Sequence, residues 1–226
     1  MKTPSRRWLG AALLVGAALA VTGCSTASLG FLLMMGQDPK VTPDCPLAER
    51  GKEVKVVVIA DAGSNYSPEL GEIDRLLSAK LVEILRERFK VNKEKVEVVP
   101  TFKVDAFRQR QLDWRSLSAQ EIGKHFGADY VINLDIAKVS LYEEKSQQTL
   151  YRGRAEIAVK VINVKAPEGE GEKFSRDYVC PEYPKAYPVE ATISVGIFRT
   201  QFVSYVAEEL SRYFAAFPAE RRYDMH

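Results

Sequence analysis

Ile122-Gly123-Lys124-His125-Phe126-Gly127-Ala128-Asp129-Tyr130-Val131-Ile132 changes its period half-way along. Just before it, Ser118-Ala119-Gln120-Glu121 has the form of a capping box, so a short helix is expected to open there. Gly127 is placed to close that helix, because a left-handed terminal residue costs glycine little, and Ala128 lets the helix pass close under a sheet. From Asp129 onward Tyr130, Ile132, Leu134 and Ile136 alternate, which predicts a long strand over 129–142. A helix that runs through one tight junction into a strand is half of an α/β unit.

Working outward, Val54-Lys55-Val56-Val57-Val58-Ile59-Ala60 is a β-branched run of the kind covered on both faces, and it is read as a central strand. The turn residues Asp61-Ala62-Gly63-Ser64-Asn65 follow. Ser67 then offers an N-cap with Pro68 at the first helical position and Glu69 and Glu72 near the positive helix end. Ile73, Leu76, Leu77, Leu81, Ile84 and Leu85 share one face of a helix expected to reach about Phe89. Val96 to Pro100 reads as a short strand and Thr101 to Arg115 as a polar connection. Downstream, a turn at Gln147-Gln148 joins 129–142 to a second alternating strand, Tyr151 to Val164, and Gly169-Glu170-Gly171 leads into a third, Glu172 to Cys180. A stiff loop, Pro181 to Pro188, precedes a closing amphipathic helix within 192–217. The order β-α-β-α-β-β-β-α is one α/β (α+β) domain over residues 53–217, with a single mixed sheet of about five strands and flanking helices.

The 226 residues are 46% hydrophobic and 27% charged, which excludes collagen, coiled coil and a multi-span membrane protein. Lys2, Arg6 and Arg7, an apolar stretch from Trp8 to Val21 and a closing Val21-Thr22-Gly23-Cys24 have the order of an export signal over 1–23. The apolar stretch is shorter than the roughly 20 residues needed to span a bilayer. Removing 1–23 takes three basic and no acidic residues from totals of 32 and 30, so the formal charge goes from +2 to −1. The apparent basicity therefore belongs to the leader, and Ser5-Arg6-Arg7-Trp8-Leu9 also partly matches a twin-arginine signal. Residues 24–52 read as a tether with Pro39, Pro43 and Pro46, interrupted by an apolar patch, Phe31 to Met35; residues 218–226 form a polar tail. Of three cysteines, Cys24 lies at the leader's end, and in an oxidising compartment the expectation for Cys45 and Cys180 is one disulfide, the alternative being two unpaired buried thiols. No Cys/His spacing indicates a metal.

Val-Thr-Gly-Cys resembles the bacterial lipobox, which implies acylation of Cys24 and attachment to membrane lipid; Ser25 behind it implies the outer membrane by the proteobacterial pattern. The valine-rich first strand, Leu85-Arg86-Glu87-Arg88-Phe89-Lys90-Val91, the Gly-Ala-Asp-Tyr junction and Val159-Lys160-Val161-Ile162-Asn163-Val164 resemble the group comprising the curli-secretion lipoprotein CsgG, the lipoprotein LpoB and the N-terminal domain of TolB. The resemblance covers about 53–217 and implies an anchored binding module. Secretion pores of that group add lipid-facing hairpins of about 9 to 11 residues per strand, and the one long hairpin here, 129–164, is needed by the domain's own sheet.

Catalysis has little to build on. His125 and His226 are the only histidines, and GxSxG, Walker A, GxGxxG and HExxH are absent. Asp61, Gly63 and Ser64 form a small-residue loop at a strand's carboxyl end, a weak candidate ligand loop, with Glu72 as a conceivable carboxylate partner; the plain alternative is a permissive turn. Arg108, Arg110 and Arg115, interleaved with Phe107 and Trp114, have the composition of an anion-binding patch, but export argues against nucleic acid, and a solvated loop with two anchoring aromatics is the commoner arrangement. Trp114, Tyr183 and Tyr187 are the candidate protein-contact residues, core anchoring of the tyrosines being the alternative. The sequence thus reads as a non-enzymatic accessory lipoprotein of the cell envelope, facing the periplasm, that binds an envelope protein and uses no cofactor. An oligomeric secretion or transport component, and a ligand-binding or hydrolytic lipoprotein using the Asp61 loop, are the competing readings, the first implying a homo-oligomer.

Overall fold

Val54–Asp61 forms β1, and every residue in it from Val56 to Ala60 is buried because both faces are covered. It runs parallel to β2 (Val96–Val98) on one side and to β3 (Tyr130–Tyr142) on the other, with Val56 opposite Tyr130 and Asp61 opposite Asp135. β3 turns back antiparallel into β4 (Leu150–Asn163), and β4 pairs antiparallel with β5 (Glu172–Tyr183) and with the two-residue β6 (Val189–Glu190). The strand order is β2-β1-β3-β4-β5, with β6 beside β4: a six-stranded mixed sheet in an α/β chain, the class expected. The structure, a computed structural model, describes residues 39–63 and 70–219. The leader, Cys24, the Phe31 to Met35 patch, Ser64, the Ser67-Pro68 helix start and the tail from residue 220 lie outside the described residues.

The period of two divides the side chains between two layers. Val56, Val58 and Ala60 of β1, with Ile132, Leu134, Val159 and Val161, meet α1 (Ile73–Asn92) and α4 (Val195–Ser211), which supply Leu81, Leu85, Phe89, Phe198, Phe202 and Leu210. Val57, Ile59 and Val131 point the other way, into a smaller core closed by Phe107 and Val104 of α2 (Thr101–Arg110), Ile122 of α3 (Ala119–Phe126) and Trp114.

Three elements differ from the sequence expectation. α1 begins at Ile73, with Gly71 at φ +54° outside it, so a helix running unbroken from Pro68 is not formed. Thr101 to Arg110, expected as connection, is helical: only Val104 and Phe107 are buried, so the helix rests on tertiary packing that a short polar stretch does not advertise. β5 continues through Pro181 to Tyr183, which an edge strand tolerates because it has an unpaired side.

The junction behaves as its residues dictate. Ser118 and Glu121 complete the capping box, and Gly127 closes α3 at φ +59° with Ala128 N–H donating to the Gly123 carbonyl (3.0 Å). Gly123 is required by close approach: a Cβ there would sit against Val164 and 2.8 Å from Val131. Asp129 then ties three strands. Its N–H donates to the Lys55 carbonyl (2.7 Å), its carboxylate accepts the Lys55 N–H (2.9 Å), and its own carbonyl accepts the Val164 N–H (3.0 Å). The carboxylate also pairs with Lys165, and Lys52 stands 3.9 Å away.

The compact unit runs from Val41 to Phe217 and so takes in the end of the stretch read as tether. Leu47 is fully buried, the Cys45 N–H donates to the Tyr213 carbonyl (2.8 Å), and Glu49 accepts the Tyr130 hydroxyl (2.7 Å). In the second, smaller unit the described residues are Pro39, Lys40, Pro218 and Ala219, where the Ala219 N–H donates to the Pro39 carbonyl (2.8 Å).

Burial raises the Asp129 carboxyl, but the Lys165 ammonium, the Lys55 amide and Lys52 together hold it below the usual range. A lowered folded pKa contributes stability that is present above the unfolded value near 4 and lost as pH falls through the folded value. Asp129→Asn is therefore expected to lower stability by about 1 kcal/mol at neutral pH, a figure discounted for the exposure of Lys165. The difference from the unsubstituted protein should vanish in denaturant melts carried out below the folded pKa.

Candidate functional site

The carboxyl ends of the parallel strands place Asp61 and Asp135 side by side in register. Asp61 accepts two hydrogen bonds from Arg115 Nε, at 3.0 and 3.2 Å, and a third from the Gly63 N–H at 3.2 Å. Arg115 is delivered by a single 3-10 turn, Trp114–Ser116, that follows α2. The guanidinium groups of Arg108 and Arg115 both stand over the Trp114 ring, 4.3 and 5.1 Å from its centre. Arg108 comes from the inner side of α2: its Nη2 donates to the Ala60 carbonyl (2.5 Å) and its Nη1 lies 3.6 Å from Asp74, both side chains being buried. Further out, Arg75 bridges Glu72 (2.7 Å) and Asp105 (3.2 Å).

These groups border a cleft of about 370 Å³ whose walls include Gly71, Glu72, Arg75, Gln109, Trp114 and Arg115. A smaller recess of about 200 Å³ continues to Asn133 and Asp135. Burial presses Arg108 below the ordinary guanidinium range while Asp74, Asp105 and Asp61 pull it back, and a guanidinium remains charged under that contest. Asp61, Asp74, Glu72 and Asp105 each face an arginine. The cleft wall is thus a set of ion pairs in which three arginines, Arg75, Arg108 and Arg115, face four carboxylates.

Of the weak ligand loop, Asp61 and Gly63 are at the cleft and Ser64 is outside the described residues. Glu72 is not brought to Asp61 as a carboxylate pair, because the two bind different guanidinium groups. Trp114 is corrected as a protein-contact residue: it is only 9% exposed, held in the smaller core beneath two arginines. Tyr183 is half-buried and packs against the core, the alternative kept open for it, its ring lying 4.7 Å from Tyr205 and 5.9 Å from Phe202, and burial raises its hydroxyl pKa. Tyr187 is 81% exposed. His125 lies at the exposed end of α3 against Phe107 (4.6 Å) and Phe126 (5.0 Å).

The expected disulfide is not formed; Cys45 and Cys180 are two free, buried thiols. Asp44 and Pro46, on either side of Cys45, reach Arg176 and Lys173 of β5. Cys180 lies on the same strand, four residues past Arg176 and seven past Lys173. Burial raises both thiol pKa values. The sequence reading also missed Arg108 and Arg115 as structural ion-pair partners and Asp129 as a strand tie. The one local signal for the first was Val104 and Phe107 at helical spacing on the side that faces the sheet.

No protein-family model matches the sequence, and neither does any curated protein. Several solved structures are similar in shape. The PelC dodecamer from Paraburkholderia phytofirmans aligns at 15% identity over 79% of this chain and 97% of its own, with a TM-score of 0.40. Lipoprotein GNA1162 from Neisseria meningitidis aligns at 12% identity over 70% of this chain and 98% of its own, with a TM-score of 0.41. Protein XCC0632 from Xanthomonas campestris aligns at 12% identity over 78% and 91%, with a TM-score of 0.40.

Two outcomes follow from the site's geometry. Arg108→Ala leaves the Ala60 carbonyl and buried Asp74 without their partner and is expected to cost about 3 kcal/mol in denaturant unfolding, whereas Arg115→Ala, at a half-exposed pair, should cost under about 1 kcal/mol. Neither Cys45 nor Cys180 should react with an aqueous thiol reagent until the protein unfolds, and reduction should leave its electrophoretic mobility unchanged.

Proposed function

We propose that this chain is a lipoprotein of a bacterial cell envelope, anchored through acylated Cys24 and acting as a non-enzymatic module that docks to an envelope protein. The order of basic residues, apolar stretch and Val21-Thr22-Gly23-Cys24 supports the anchor. The observation that carries the docking half is Tyr187. It stands 81% exposed between Pro184 and Pro188, on a loop whose base is held by half-buried Tyr183 packed against the core and whose far end is paired as β6 against β4. An aromatic held out on a stiff loop meets a partner at low entropy cost. The matched charges around Asp61 favour binding over chemistry, since activating any one of those carboxylates would first require breaking its arginine pair.

Cys24→Ala should move the protein from the membrane to the soluble fraction of cells; a protein that stays with the membrane overturns the lipid anchor. A photo-crosslinking residue at Tyr187 should give one discrete adduct with an envelope protein in intact cells. Irradiation that yields only the uncrosslinked chain, while the protein remains folded and membrane-bound, overturns docking through this loop.

A further inference from the structure

We infer that the tip of the β3–β4 hairpin, Glu144 to Gln148, is the second half of the docking surface that begins at Tyr187, and that the two together fit a protein surface without strong net charge. The inference rests on the Tyr187 reading above. Lys145, Gln147 and Gln148 take φ +63°, +52° and +64°; the fourth non-glycine residue with positive φ among the described residues, Lys93, caps α1. Left-handed hairpin positions are cheapest for glycine, asparagine or aspartate. Here they carry one lysine and two glutamines, all three exposed. A local rule broken at the surface, where no packing asks for it, marks side chains kept for what they touch. The turn is also stiff: the Thr149 hydroxyl donates to the Ser146 carbonyl (2.6 Å), the Ser146 hydroxyl to the Glu143 carbonyl (2.7 Å) and the Glu143 N–H to the Leu150 carbonyl (3.0 Å).

The hairpin and the Tyr187 loop are fastened to each other. Arg152 of β4 pairs with Glu143 at the hairpin's base (2.9 Å) and with Glu182 at the start of the loop, and Arg154 pairs with the same Glu143 (2.8 Å). Beyond the loop, Val189 stands opposite Tyr151, and the Ala191 N–H donates to the Thr149 carbonyl (2.9 Å). Two residues from Tyr187 to Val189, one strand spacing, and three residues from Tyr151 to Gln148 leave the Cα atoms of Tyr187 and Gln148 no more than about 23 Å apart. One partner's share of an ordinary interface, about 800 Å², is roughly 30 Å across and holds both. Charge sets the partner's chemistry. Within 143–154 and 181–190, Lys145 and Lys185 offset Glu144 and Glu190, and Arg152 and Arg154 offset Glu143 and Glu182. This end therefore presents an aromatic ring and two amides with no net charge to draw a phosphate-bearing lipid or nucleic acid. A small ligand or a single sugar would need those groups gathered into one concave site.

The test uses the full chain in intact cells, with the photo-crosslinking residue at Tyr187 as the reference. If Tyr187 gives no adduct, the docking reading itself fails and this proposal with it. With that adduct present, the same photo-crosslinking residue at exposed Glu144 should give an adduct with the same protein. Gln147→Gly combined with Gln148→Gly removes both amides where glycine fits the backbone, so the denaturant midpoint should not fall, while the Tyr187 adduct should drop by about tenfold, the factor for two ordinary hydrogen bonds. If the double variant is destabilised, the Glu144 adduct decides. In isolated membranes the yield of either adduct should change by less than about twofold between roughly 0.05 and 0.5 M salt, as expected of a contact without strong charge. An undiminished Tyr187 adduct in a stable double variant overturns the proposal. So does a residue at 144 that crosslinks to nothing or to a different protein, an adduct removed only by glycosidase, or one lost at high salt.

Discussion

The fold hangs on how Asp129 joins three strands at the start of β3. A parallel neighbour is brought in from a remote part of the chain and has no hairpin to set its register. Here the first contact is made on both sides by one residue: the Asp129 amide and carboxylate take the carbonyl and amide of Lys55, and its carbonyl takes Val164. With those bonds made, Val56 falls opposite Tyr130 and the rest of β1 and β3 follows to Asp61 and Asp135. Lys165 and Lys52 keep the carboxylate ionised and in place. The short helix before it can lie this close only because Gly123 lacks a side chain and Gly127 turns left-handed.

The other end of the same strands inherits that register. Asp61 and Asp135 emerge together because the register at Lys55 places them so, and the turn after α2 brings Arg115 to Asp61. Two cationic side chains over one indole would repel each other, and they are held by separate anions, Asp74 for Arg108 and Asp61 for Arg115. The Ala60 carbonyl, at the end of β1, is satisfied by Arg108 where no further strand residue reaches it. The cleft is thus built from groups whose first duty is to finish the sheet edge. Phe102 of α2, and Leu112 just past its C-terminal cap, stand in solvent.

What could be read along the chain was what is local. The capping box at Ser118, the left-handed Gly127 and the alternation of Tyr130, Ile132, Leu134 and Ile136 depend on residues within four positions of one another, and all take the forms their chemistry dictates. A helix running unbroken from Pro68 to Phe89 is not formed, because Gly71 takes φ +54° and α1 starts at Ile73. α2 was missed because two buried residues in ten give no period to see.

Residue chemistry alone settled the class: buried β-branched strands, amphipathic helices and a Gly-Ala-Asp junction make a mixed-sheet α/β domain. Tertiary structure alone decided the pairings. Whether Cys45 meets Cys180, whether Asp61 faces Glu72 or Arg115, and whether Trp114 and Tyr183 look outward or inward depend on strand register and on which element covers which edge. Those distances are set between residues tens of positions apart, and composition and periodicity carry no record of them.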